Sequence, residues 1–401
     1  MSEARPLTIL CLASYEKGAD FLRECKRQGC YVILITVEKL ADAGWPRESI
    51  DELICLPDLS DRRAVIYTVS YLARTRMIDR VVALEDYDVE TAATLREHLR
   101  CPGMGDTTSR YFRDKLAMRS KADEAGIAVP PFCPVLNYDQ LRDYMGRVPS
   151  PWLLKPRSEA GAVGIKKVHA AEELWPFLDE LGDRQSFFLL EQYIDGDVYH
   201  VDSVVFKKQV VFAEAHKYGS PPIEVVHEGG LFVSRTLPRE STDAETLLAL
   251  NRQVLQELGF VRGVAHTEFI KAREDRRFYF LETSARVGGA YLVELVRAAT
   301  GVNLWVEWAK IEIAGSEGHF IAPISKQDYS GIIISLARQE HPDTSEYNDP
   351  EIIWRLDHKH HAGLIVVSSD PSRVELLLDS YTPRFYNDFY ATQPAPDKPT
   401  S

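Results

Sequence analysis

The sequence predicts two kinds of architecture in one chain: an α/β, parallel-sheet domain first, then an α+β, strand-rich region. Three observations predict it. Apolar runs alternate with helical patterns over the first hundred residues, the composition shifts near CPGMGD (101–106), and beyond residue 150 strand follows strand through short turns. At 401 residues the chain exceeds one ordinary core and suggests two or three domains. A hydrophobic fraction of 45% and a charged fraction of 27% are those of a globular protein. The net charge of -13 argues against a general nucleic-acid binder, which needs basic surface for phosphates. Six cysteines are scattered without a CxxC pair, the pattern of reduced thiols and a cytoplasmic setting. No segment reaches the roughly 20 apolar residues of a membrane span.

LTILCLA (7–13) reads as a first strand, since its apolar run is short for a signal peptide. GADFLRECKRQG (18–29) has helical spacing and ends on a glycine. YVILITV (31–37), ELICL (52–56) and DRVVALED (79–86) are further strands, with helices over 61–75 and 88–99. Continuous apolar strands separated by helices indicate a parallel sheet covered on both faces. The first strand runs into SYEKG rather than G-x-G-x-x-G, so a dinucleotide site, and with it an NAD-type oxidoreductase, lacks its fingerprint. RDKLAMRSKADEAG is helical and stops at Gly126 before the two prolines of IAVPPF. Strands follow at 152–156, 164–170, 186–194, 199–218 (with KKQ at 207–209 as a hairpin turn) and 230–238. A helix over 241–258, a hairpin over 265–285 and a helical segment over 290–314 come next. A last α+β piece spans 320–390, with strands at 331–337 and 362–369 and a helix at 371–380. TQPAPDKPTS is polar and Pro-rich and reads as a disordered tail over 391–401.

The hairpin AHTEFIKAREDRRFYFLETSA carries the first chemistry. REDRR is its natural turn, and folding symmetrically about Asp275 sets Glu268 opposite Glu282, Ile270 opposite Phe280 and Ala272 opposite Phe278. Strand periodicity then puts both glutamates on one face. Two carboxylates so placed repel unless a proton or cation lies between them, and hard oxygen ligands suit Mg²⁺. An ordinary hairpin with exposed glutamates accounts for this stretch equally well. In WLLKPRSEAGAVGIKKV, Lys155 ends an apolar strand before a loop holding Ser158, Gly161 and Gly164, a pattern that cradles phosphate or simply turns the chain. In FFLLEQYIDGDVYHVD an apolar strand reaches Glu191 and then Gly196 and Asp197, which fits an adenine-facing strand or a plain turn. HKHH (358–361) reads as a loop before a strand rather than a metal site, and HEGG (227–230) as a Gly-rich loop between strands.

Taken in order, Lys115, Lys155 with its glycine loop, Glu191, Glu268, Glu282 and Arg286 form a layout that closely resembles the ATP-grasp superfamily. The resemblance covers roughly residues 100–315 in detail. GVAHTEF and LETSARVGG look most like carboxylate–amine ligases of the L-amino-acid ligase (dipeptide synthetase) type, and HAGLIVVSSDPSRVELLL is similar to the C-terminal piece of those ligases. The resemblance implies an N-terminal Rossmann-like domain (1–103), a small ATP-grasp subdomain with the phosphate loop (104–190), and a large subdomain with a C-terminal α+β piece (191–390). It implies ATP held by Lys115 and Lys155, covered by the loop Ser158–Gly164, with adenine against Glu191, Gln192, Tyr193 and Ile194 and ribose on Asp197. Glu268 and Glu282 would bind Mg²⁺, for which Mn²⁺ could substitute. Arg286 would stabilise the transferring phosphoryl group. Gly288 and Gly289 would admit a substrate carboxylate, and His266 would line the substrate pocket.

The superfamily commonly reads E-x-N-x-R where this chain has Glu282-Thr283-Ser284-Ala285-Arg286. Ser284 therefore stands at a metal-ligating position with a shorter side chain, which bears on a second Mg²⁺ and not on the first. The expected activity is ligation of a small carboxylate, an amino acid or similar acid, to an amine through an acyl phosphate. The expected partners are those small molecules, with no nucleic acid, no membrane, and a homodimer compatible with the resemblance. The alternative is a nucleotide-binding accessory protein with the same fold and no turnover.

Overall fold

The computed structural model describes residues 5–316 and 318–392, so most of the expected tail lies outside the described residues. Four parallel strands, β1 (Thr8–Ala13), β2 (Tyr31–Val37), β3 (Glu52–Leu56) and β4 (Arg80–Ala83), form a sheet in the order β3-β2-β1-β4. Every residue of β1 is buried. Its uniform apolarity follows from cover on both faces. Phe21 and Leu22 of the helix Ala19–Arg27 cover one face, and Val65, Val69, Ala92 and Leu95 from the next two helices cover the other.

A second, antiparallel sheet contains β5 (Phe132–Pro134), β6 (Trp152–Pro156), β7 (Lys166–Val168) and β8 (Phe188–Gln192), in the order β5-β8-β6-β7. The strand expected over 164–170 shortens to β7, because Gly161, Ala162 and Gly164 adopt positive φ in the turn before it. Leu141, Tyr144, Leu174 and Leu178 from two helices pack on one face of this sheet.

The third sheet has eight strands: β9 (Gly196–Phe206), β10 (Gln209–Tyr218), β11 (Phe232–Thr236), β12 (Gly263–Ala272), β13 (Phe278–Ser284), β14 (Tyr329–Leu336), β15 (Ile352–Arg355) and β16 (His361–Ser368). Their order is β13-β12-β9-β10-β11-β14-β16-β15, all antiparallel. The turn at KKQ forms as expected, with Lys207 and Lys208 both at positive φ, the geometry that matches strand twist.

Three expectations change. The segment 290–314 is two helices, Leu292–Thr300 and Leu304–Ala314: Gly301 ends the first in the left-handed region, and the Asn303 side chain caps the second by accepting from the N–H groups of Trp305 and Val306. The expected loop at HEGG begins inside a helix, Pro222–Glu228, started by prolines whose φ suits a first turn. The last helix runs on through Pro383 to Asp388, because Tyr381 and Phe385 bury against the sheet beyond the expected stop.

Candidate active site

A cleft of about 470 Å³ takes lining residues from the four-stranded antiparallel and the eight-stranded sheets, and Asp86 from just beyond β4 of the parallel one. On one wall Asp114 caps the helix Lys115–Glu124, accepting from the N–H groups of Leu116 and Ala117. The Lys115 N–H donates to the Arg157 carbonyl at 2.8 Å, which docks the helix start beside the loop after β6. Lys115 and Arg119 stand four residues apart and share a helix face. Lys115 Nζ lies 2.9 Å from Glu282 and donates to the Glu159 carbonyl at 2.5 Å. Arg119 reaches one oxygen of Glu191 at 2.7 Å, and Lys155 Nζ reaches the other at 2.5 Å. Burial alone would push the Glu191 carboxyl up, but Arg119 and Lys155 outweigh it and hold it below the usual range.

Glu191 is thus an internal clamp, and its side chain is not free for adenine. Backbone and neighbours remain: Gln192, Tyr193 and Ile194 all line the cleft. The Gln192 and Tyr193 N–H groups already donate to the carbonyls of Pro131 and Pro151.

Across the cleft, Glu268 on β12 and Glu282 on β13 are direct cross-strand partners, as the sequence predicts. The expected pairs beyond them are not formed. A bulge after Glu268 shifts the ladder, so that Phe280 faces Phe269 and Phe278 faces Lys271. Tyr218 donates its hydroxyl to Glu268 at 2.9 Å, and His266 Nε2 lies 3.4 Å from the same oxygen. His266 Nδ1 bonds Asp202 at 2.9 Å, and Asp202 in turn bonds His200 Nδ1 at 2.8 Å. Burial would lower the His266 pKa, but Asp202 and Glu268 outweigh it and raise it to about 9. Burial pushes Glu268 up, while His266 and Tyr218 bring it below its ordinary value.

Arg286 and Ser284 converge on a residue the sequence reading missed. Asp86, just beyond the end of β4, accepts from the Ser284 hydroxyl at 3.1 Å and from Arg286 at 3.2 Å. Burial works against the Arg286 charge, yet Asp86 and Glu85 raise its pKa. The signal for Asp86 was present in DRVVALED: carboxyl ends of parallel strands are where open α/β sheets present ligand-binding groups. Asp202 and Tyr218 gave no such signal, because their roles depend on strands distant in sequence.

Four expected site residues stand off the cleft wall. Asp197 faces away and pairs with Lys217 at 2.7 Å, because its neighbours Gly196 and Val198 take the inward phase of β9. Ser158 contributes its carbonyl to Arg113. Gly164 has φ +71°, and a Cβ there would meet Pro156 at 3.0 Å, so it serves the turn, while Gly161 lines the cleft. Gly288 is packed rather than open: a Cβ there would come within 2.9 Å of His266 Nδ1 and Leu292 and 3.1 Å of Asp202. Gly289 has nothing within 4 Å of such a Cβ and lines the cleft.

The donor set fits a hard divalent cation. Glu268 and Glu282 oppose each other as oxygen ligands, and the positive charge they require is supplied by His266 on one side and Lys115 on the other. The Ser284 hydroxyl is engaged by Asp86. Among the described residues, His200, Asp202 and His266 form the one other cluster with metal-ligand spacing, and all three are hydrogen-bonded within the protein.

A small four-stranded and a larger eight-stranded antiparallel sheet, facing each other across the cleft that holds Lys115, Lys155, Glu268, Glu282 and Arg286, have the architecture of the ATP-grasp fold. The comparisons agree with that fold. The chain is 22% identical over 282 residues to the L-arginine-specific L-amino acid ligase of Bacillus subtilis, covering 68% of this chain and 67% of that one. It superposes on an L-amino acid ligase from Bacillus licheniformis with TM-score 0.75 at 17% identity, over 97% of this chain and 100% of that one. It also superposes on the ATP complex of carboxyaminoimidazole ribonucleotide synthase from Aspergillus clavatus with TM-score 0.72 at 14% identity, over 96% and 99% of the two chains. No protein-family model matches the chain. The expected fold and the expected likeness to L-amino acid ligases are borne out. No helix among the described residues is long and apolar enough to cross a membrane.

Proposed function

We propose that this protein is an ATP-dependent ligase that activates a small carboxylate, an amino acid, and joins it to an amine, with ADP and phosphate as products. The observation that supports it best is the convergence of Lys115, Lys155, Glu268, Glu282 and Arg286 on one cleft. In this reading Lys115 and Lys155 hold phosphate oxygens, and Gln192, Tyr193 and Ile194 border the adenine. Glu268 and Glu282 hold Mg²⁺, or Mn²⁺ in its place, which when bound neutralises charge on the nucleotide phosphates. Arg286 orients the acid and stabilises charge on the transferring phosphoryl group. A carboxylate oxygen attacks the γ-phosphorus and ADP leaves. The amine then attacks the carbonyl carbon of the acyl phosphate, phosphate leaves with that oxygen, and the amine loses a proton. Water must be kept from the acyl phosphate, and the helix Pro222–Glu228 covers the cleft for that purpose, with His227 hydrogen-bonded to the Ala162 carbonyl of the glycine loop at 3.0 Å.

The test is release of ADP and phosphate from MgATP with a panel of amino acids and amines. Glu282→Gln removes a charge from the metal clamp and is expected to lower turnover by roughly a thousandfold or more. Nucleotide binding without turnover across the panel would favour the accessory-protein alternative instead.

A further inference from the structure

The motif HKHH (358–361) joins β15 to β16 and stands outside the lining of the cleft. A loop is what the sequence predicts there, and a tight one forms. The His361 N–H donates to the His358 carbonyl at 3.2 Å, and His360 takes a left-handed φ of +57° inside the turn. The turn folds the two outer rings against each other at 83°, with centroids 4.7 Å apart. Nδ1 of His358 and Nδ1 of His361 then lie 3.0 Å apart, and each lies 2.9 Å from the Lys359 carbonyl oxygen. Protons cannot satisfy this triangle. With one Nδ1 protonated, the other nitrogen faces the carbonyl oxygen lone pair to lone pair. With both protonated, two N–H groups face each other. What complements three converging lone pairs is a cation.

We propose that this turn is a second cation site, separate from the glutamate clamp, that takes a late first-row transition ion, Cu²⁺ or Ni²⁺. Its ligands are Nδ1 of His358, Nδ1 of His361 and the Lys359 carbonyl, with water in the remaining positions. It uses two side chains and a carbonyl, where the buried His200–Asp202–His266 cluster has three side chains, and it is open to an entering ion: His358 is exposed and His361 half-buried. Atoms about 3 Å apart subtend about 90° at an ion about 2.0–2.1 Å from each, the angle of octahedral and tetragonal sites rather than of tetrahedral zinc. Imidazole selects such ions over Mg²⁺, which prefers carboxylate and water. The local charge permits it, since the Lys359 ammonium, which would repel a cation, is held by Glu340 at 2.6 Å. β15 and β13 are opposite edges of the eight-stranded sheet, so the site lies at the far end of the strand order from Glu268 and Glu282. A bound ion staples the turn that starts β16 and leaves the cleft untouched, so the proposal is independent of the ligase reading.

The experiment titrates the full-length protein, free of any histidine tag, with Cu²⁺ in excess Mg²⁺, followed by calorimetry and by electron paramagnetic resonance. The wild type is expected to hold one Cu²⁺ whose spectrum shows coupling to two imidazole nitrogens. His358→Ala and His361→Ala are each expected to weaken that binding by roughly a hundredfold or more, since losing even an outer-shell partner costs about ten- to a hundredfold. His360→Ala removes a histidine of the same motif that supplies none of the three atoms, and Lys359→Ala keeps its carbonyl, so both are expected to bind within about threefold of the wild type. Thermal melts give a second readout: Ni²⁺ should raise the melting temperature of the wild type and of His360→Ala but not of His358→Ala, and the metal-free melts show that each variant folds. Equal losses in His360→Ala and His358→Ala would mean histidine-rich chelation without this geometry and overturn the proposal. So would Cu²⁺ binding that His358→Ala and His361→Ala leave intact, or a wild type that binds no Cu²⁺.

Discussion

His266 shows how much of this site is decided by single side chains. Its ring sits between Asp202 and Glu268, and those two carboxylates hold it protonated to about pH 9 against the penalty of burial. The folded-state pKa lies above the ordinary value of 6.5. The resulting stabilisation is therefore complete below about pH 6.5 and is lost as pH rises towards 9. The shift corresponds to about 3 kcal/mol. Urea unfolding of the metal-free protein should show stability falling by an amount of that order between pH 6 and pH 9, and His266→Asn should flatten that fall. A slope unchanged in the variant would show that other groups produce it. Residue-level legibility was uneven for the same reason. Glu282, Lys155 and Arg286 announce themselves at or just past strand ends, and Glu268 by standing opposite Glu282 in the hairpin. Of the partners that set their charge, Asp202 and Tyr218 come from other strands and carry no local pattern, whereas Asp86 shows itself only as an acid just past the end of a parallel strand.

At the scale of elements, the loop ARVGG separates into two functions that the sequence runs together. Gly288 crosses over the His266–Asp202 pair so closely that no side chain fits, and Gly289 faces open cleft. Gly288→Ala should cost about 1–3 kcal/mol, the range for overpacking. Gly289→Ala should leave the melting temperature nearly unchanged and act, if at all, on KM for the acid. Thermal melts and steady-state kinetics on the two variants separate these outcomes. The hairpin beside this loop was legible where it mattered. REDRR marks its turn, and period-two counting pairs Glu268 with Glu282 correctly. The bulge after Glu268 was not legible, because one extra residue leaves no mark in an apolar run such as FYFL. The phase of β9 was missed in the same way. Asp197 looks like a strand-end acid, and only the pairing of Gly196 with Ala272 shows which face it takes.

Over the whole molecule, the three sheets are joined through buried charge as well as through apolar cores. The alternation of apolar strands and helices revealed the parallel sheet, and the run of strands after residue 150 revealed the α+β region. The joints between them are long-range and were not readable. Arg119 is one such joint. It pairs with Glu191 of the small sheet and donates to the Leu281 carbonyl of the large one. Arg119→Met would leave Glu191 buried with Lys155 alone, and breaking such a buried pair costs about 3–5 kcal/mol. Denaturant unfolding should register that loss, with the Arg119→Met, Glu191→Met double variant less affected than the sum of the singles.

In the proposed reaction a carboxylate oxygen of the acid passes to the γ-phosphoryl group of ATP. Isotope transfer tests it most directly. With MgATP, an amine and an amino acid labelled with ¹⁸O in its carboxylate, the account predicts one ¹⁸O atom in each phosphate released. Unlabelled phosphate accompanied by ¹⁸O in AMP, or unlabelled phosphate accompanying product formation, would contradict it.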